Sequence, residues 1–164
     1  MDDRSPLFAQ LDPAERKLLQ MSVHINPVIV ATADGKYSLQ ESAAIADVVR
    51  KLMSEDEYRP LILVAGHEEI SDAALRVMLE THSKNIGEYL AEVARLLEQL
   101  PPDVVNAYRR FALFAIIHVA EAARDGLFGL VGTRISEAEK AVMRKMAEVL
   151  RLEPDEEQRA KIGM

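Results

Sequence analysis

The run Phe111-Ala112-Leu113-Phe114-Ala115-Ile116-Ile117-His118-Val119-Ala120 is apolar nearly all the way round a helical wheel. It sits inside a longer helical pattern covering residues 102–124. A helix with no polar face is one that other elements surround. The run falls well short of the roughly 18 to 20 apolar residues that span a bilayer, and it contains His118. It therefore predicts the central helix of an all-α core.

Outward from that helix the period stays helical, and strand alternation between tight Asn-Gly or Gly-Gly turns is almost absent. About seven helices fit the chain. The first opens at Asp12-Pro13-Ala14-Glu15, where Asp12 caps free amides, Pro13 suits the first helical position and Glu15 can reach back as a capping box. Pro27 lies within the apolar run 25–33, so this region is either one kinked helix or two, the second starting near 24–27. Asp34-Gly35 stops it. Another helix starts at Ser38 with Glu41 three residues on, carrying Ile45, Val48, Val49 and Leu52 as its apolar stripe, and Ser54-Glu55-Asp56-Glu57 closes that unit. Residues 61–65 form a short apolar run, read as one buried helical turn in preference to an isolated strand. Residues 71–100 are helical with a break near 83–87, and Leu90, Val93, Leu96, Leu97 and Leu100 face inward. After a glycine-rich stretch, 125–133, come a capped helix from Ser136 to about Leu152 and a short charged tail from Pro154-Asp155.

The 164 residues suit one domain, and 49% hydrophobic with 29% charged residues supports a sizeable core. The domain is expected to fill 1–164, with related units at about 13–53 and 102–152 around a helical middle, 54–100. With no cysteine, disulfides, thiolate metal sites and thiol nucleophiles are excluded. A net charge of −7 disfavours a nucleic-acid footprint and an anionic membrane surface, and it suits cations or basic partners. The start Met1-Asp2-Asp3-Arg4-Ser5-Pro6 is acidic where a secretory signal is basic and then apolar, so a cytoplasmic location is expected.

Two segments look alike. The first is Val30-Ala31-Thr32-Ala33-Asp34-Gly35-Lys36-Tyr37-Ser38-Leu39-Gln40-Glu41, and the second is Glu121-Ala122-Ala123-Arg124-Asp125-Gly126 continuing to Arg134-Ile135-Ser136-Glu137-Ala138-Glu139. Each reads as helix, Asp-Gly, capping box, helix. The Asp-Gly steps are 91 residues apart and the serines 98 apart, so the second connection carries seven more residues. Over most of its length the chain resembles the tellurite-resistance TerB family and its wider group of small bacterial helical domains. The resemblance rests on Ala33-Asp34-Gly35 with Ser38 and Glu41, and on 116–126 followed by Ile135-Ser136-Glu137-Ala138-Glu139. It implies an all-helical fold of pseudo-twofold character, acidic loop residues that bind metal ions, and a link to stress or toxic-oxyanion resistance, with no known reaction. The insertion 127–133 departs from the pattern and puts a second equivalent metal site in doubt.

The residues themselves leave two readings. Capping boxes at Ser38/Glu41 and Ser136/Glu139 account for the spacing by local hydrogen bonding alone, each contributing about 1 kcal/mol. Alternatively, folding the halves together brings Asp34, Asp125, Glu41 and Glu139 to one end of the bundle, four carboxylates that suit calcium or magnesium. Asp34 to Glu41 mimics the back half of an EF-hand loop, but the front positions are Val30 and Thr32. His118, Glu121 and Asp125 share a helical face and form a second ligand set, with zinc favoured if the histidine takes part. The bland reading makes His118 a core histidine in line with Phe111 and Phe114. A di-iron site needs two Glu-x-x-His pairs, and only one reversed pair exists.

His67-Glu68-Glu69 lacks the second zinc-protease histidine, since Ser71 stands there. No Gly-x-Ser-x-Gly elbow or phosphate-binding glycine loop is present. Gly126, Gly129 and Gly132, with Leu127, Phe128, Leu130 and Val131, make either a sticky docking loop or side chains tucked onto the core. Arg109-Arg110, Lys140, Arg144 and Lys145 interleave with glutamates and read as a solvated face with i,i+4 pairs. The expectation is thus a non-enzymatic TerB-like domain that binds a divalent cation through Asp34, Glu41, Asp125 and Glu139, with Glu121 and His118 as further ligands. A protein partner is expected, a second copy of the chain among the candidates. The alternative is a metal-independent interaction module.

Overall fold

A computed structural model describes residues 11–35, 39–65, 71–122 and 135–164. Within them the fold is all-helical, with eight α-helices and one 3₁₀ turn. Helix α1, Pro13–Ala31, opens on the expected capping box: Glu15 N donates to Asp12 Oδ1 at 2.9 Å, and Asp12 N donates to Glu15 Oε2 at 3.1 Å. It runs through Pro27 as one helix. Proline removes a helical hydrogen bond there, and the burial of Ile25, Asn26, Pro27, Ile29, Val30 and Ala31 offsets that loss. The helix stops at Thr32, and Gly35 takes a left-handed φ of +75°, which glycine adopts without strain.

Helix α2, Leu39–Ser54, buries Val48 and Leu52 and half-buries Ile45 and Val49. The 3₁₀ turn Asp56–Tyr58 follows, then α3, Arg59–Ala65, the short apolar run as a helix. Helices α4, Asp72–Ser83, and α5, Ile86–Leu97, are separated by Lys84 and Asn85, within the expected break. All five expected inward residues on and after α5 are buried. Helix α6, Pro102–Ala122, is the apolar one. It packs most extensively on α1, and every other helix touches one or both of these two. The core axis is therefore a helix pair, α1 with α6, rather than α6 alone.

Two boundaries differ from the sequence reading. Helix α7, Glu137–Val149, ends before Leu152, because Leu150 caps it and Arg151 turns left-handed at φ 54°. The expected tail is a helix, α8, Glu156–Ile162, opened by an Asp155/Gln158 capping box. Its Ile162 is fully buried, and Arg144 on α7 donates to the carbonyls of Ile162 and Gly163, so tertiary packing orders a segment with little periodic signal. No described helix is long and apolar enough to cross a membrane.

Candidate functional site

A buried polar network ties the axis together. Tyr89 on α5 donates from Oη to Asn26 Oδ1 at 2.7 Å, and Asn26 Nδ2 donates to Tyr108 Oη at 3.0 Å. Tyr108 then donates to Ser22 Oγ at 2.9 Å, and Ser22 donates to the Leu19 carbonyl at 2.7 Å. All four side chains are buried. Burial pushes the Tyr108 hydroxyl up to about 12 and Tyr89 well above its ordinary value, so both stay protonated as donors. The chain is complete and joins α1, α5 and α6, which marks it as architecture. Sequence reasoning missed it because its bonds between helices join residues 63 to 86 positions apart, beyond any local pattern.

The acidic residues present a different picture. Ser136 and Glu139 form the expected capping box, Ser136 N donating to Glu139 Oε2 at 2.7 Å and Glu139 N to Ser136 Oγ at 3.1 Å. Glu139 is nonetheless only 2% exposed, and its other oxygen, Oε1, is buried without a hydrogen-bond partner. Arg16 Nε is the other described side-chain atom in that condition. Burial raises the Glu139 carboxyl above its ordinary value, the Ser136 hydrogen bonds oppose this, and the charges of Asp34 and Glu41 push it up further. Glu41 at the start of α2 is itself 3% exposed, while Asp34 beyond the end of α1 is exposed. Two of the other carboxylates expected at that end of the bundle, Asp34 and Glu41, therefore act on Glu139. The fourth, Asp125, lies outside the described residues, as do Ser38, the His67-Glu68-Glu69 segment and the glycine-rich stretch. Among the described residues no three histidines, aspartates or glutamates group closely enough to hold a metal ion.

The second ligand set fares differently. Glu121 pairs with Lys161 of α8 at 3.1 Å, forty residues away with no local signal to announce it. His118 is half-buried and stacks on Phe114, ring centroids 5.2 Å apart, with Lys51 Nζ 4.4 Å from the centre of the Phe114 ring. This corrects the core-histidine reading: Phe111 is buried against Tyr58, but Phe114 and His118 continue along the edge of α6 beside α2. The basic residues also depart from the i,i+4 reading. Arg109 Nε donates to the Leu150 carbonyl at 3.0 Å, and Arg110 faces Glu57 at 3.8 Å, both across elements, while Lys140 pairs with Glu137 at i,i+3.

No protein-family model, curated protein or solved structure matches the chain.

Proposed function

We propose that the chain is a non-enzymatic, TerB-like helical domain that binds a divalent cation at Glu139, with Glu41, Asp34 and Asp125 of the second Asp-Gly step drawn in around the ion as further carboxylates. The observation that carries this reading is Glu139 Oε1. A capping box needs one carboxylate oxygen and sits comfortably in water; here the second oxygen is buried and unpaired, and the charges of two further acids act on the group. Leaving a buried polar group unsatisfied costs about 1 to 3 kcal/mol, more when it is charged, and a bound cation offsets that cost. All-oxygen ligands favour calcium or magnesium over softer metals. With Glu121 held by Lys161, the oxygen set does not extend to the His118 face. Lacking cysteine, the chain has no thiol with which to reduce tellurite, so a role in stress or oxyanion resistance would run through cation-dependent contact with a protein partner.

The test is thermal unfolding of chelator-treated protein against calcium, magnesium, manganese and zinc, with the Asp34→Asn/Asp125→Asn double variant and Glu139→Gln alongside. Ligand at 100 times its dissociation constant stabilises by about 2.7 kcal/mol, an upward shift of about 5 to 10 °C for a chain this size. The expected result is a shift with one ion that both variants lose. A flat response to all four ions overturns the proposal and reduces the Asp-Gly repeats to helix punctuation.

A further inference from the structure

We propose that the cleft between α6 and the connection from α7 to α8 binds a small amphoteric molecule, with an oxyanion at one end and an ammonium at the other. The cleft has a volume of about 370 Å³ and is lined by Asn106, Arg109, Arg110, Leu113 and Glu153. That volume lies within the range of small-molecule sites. It is independent of the acidic cluster, sharing none of its residues.

The lining supplies recognition at both ends. Arg109 is fixed in place by its Nε hydrogen bond to Leu150, one of five guanidinium N–H donors. Arg110 contributes a second guanidinium, in a long, largely exposed pair with Glu57 that water competes with. Each guanidinium matches the planar, bidentate geometry of carboxylate or phosphate, and a charge-assisted pair of that kind is stronger than the loose contact Arg110 would give up. Buried Leu113 gives an apolar contact, and the Asn106 amide both donates and accepts. Glu153 sets the specificity. In a chain of net charge −7, a bare dianion meets Glu153 and Glu57 as repulsion, whereas a bare cation meets two guanidinia. A molecule bearing both charges satisfies both walls.

Calorimetric titration at constant ionic strength with O-phosphoethanolamine, inorganic phosphate and ethanolamine tests this on the chelator-treated full chain, so failure of the cation site does not affect it. O-phosphoethanolamine is expected to bind saturably and about tenfold more tightly than phosphate, with ethanolamine not saturating. β-Alanine, run beside it, assigns the oxyanion: tighter binding than O-phosphoethanolamine means carboxylate, weaker means phosphate. Arg110→Gln, a change on an exposed side chain checked for an unchanged circular dichroism spectrum, is expected to weaken binding about tenfold. Glu153→Gln should erase the preference over phosphate while phosphate binding persists. Equal affinity for phosphate and both amphoteric probes, unchanged affinity in Arg110→Gln, or no saturable binding by either amphoteric probe overturns the proposal.

Discussion

Two polar groups are equally withdrawn from water in this molecule, and they are finished to different degrees. In the Ser22–Asn26–Tyr89–Tyr108 network each hydroxyl donates to a named acceptor, and the chain of bonds terminates on the Leu19 carbonyl. At Glu139 one carboxylate oxygen is used by the capping box and the other is left over, with Glu41 and Asp34 acting on it. Burial alone therefore does not distinguish architecture from a site. What distinguishes them is whether the protein supplies every partner itself, because an unfinished buried group costs stability that only a ligand or a proton recovers.

The largest effect is expected where the accounting is complete. Asn26→Ala removes the acceptor of Tyr89 and the donor to Tyr108 and opens a small cavity between α1 and α6. With the Tyr89 hydroxyl left unpaired at about 1 to 3 kcal/mol and the cavity added to it, a total loss of about 3 kcal/mol is expected from urea unfolding at unchanged m. Tyr108→Phe, which cuts the link to Ser22 while filling the same space, should cost less, about 1 to 2 kcal/mol. A loss for Asn26→Ala near zero would break the comparison, since the network would then be incidental to the α1–α6 pairing.

Glu139→Gln should act in the opposite direction in metal-free protein. A carboxyl raised in the folded state carries no penalty below its unfolded value. As pH climbs above the ordinary value of 4.5, the unfolded chain ionises first, and folding stability falls until the folded group ionises too. Glutamine keeps an oxygen for the Ser136 amide and never ionises. The variant is expected to be more stable than the parent near neutral pH, with the difference shrinking toward zero as pH falls below the ordinary carboxylate value. Unfolding midpoints across that pH range read it directly. A variant less stable than the parent at neutral pH, with a pH-independent difference, would show that Oε1 is not the liability its burial implies.

The helices were legible because their signals are local. Asp12-Pro13-Ala14-Glu15 fixed the start of α1, and the apolar run 111–120 identified a surrounded helix. The charged residues after Pro154 hid α8, since its single buried anchor, Ile162, gives no period to read. At the candidate site the capping residues were legible, but their burial was not, because that depends on how α1, α2 and α7 meet. The Lys161–Glu121 pair and the arginine cleft were invisible for the same reason: each joins residues about forty positions apart, such as Arg109 and Leu150. His118 misled because an apolar run in sequence does not say which residues of a wide helix face end at its edge.

The smallest expected effect sharpens the comparison most, because it repeats one substitution at the same helical position. Glu15 and Glu139 both close a capping box at the third residue of a helix. Glu15, however, is partly exposed, and its second oxygen accepts from Arg95 Nη2 at 2.9 Å. Glu15→Gln keeps the box and loses only that ion pair, which, with its arginine in solvent, contributes little. The parent should therefore be slightly more stable than the variant, and the difference should shrink in about 1 M salt, where screening acts within a few ångströms. A double-mutant cycle with Arg95→Gln isolates the pair energy. Opposite signs for Glu15→Gln and Glu139→Gln mean that the surroundings of the second oxygen, not the capping geometry, decide what each glutamate does. The same sign for both would make the two boxes equivalent and remove the reason to look for a ligand at Glu139.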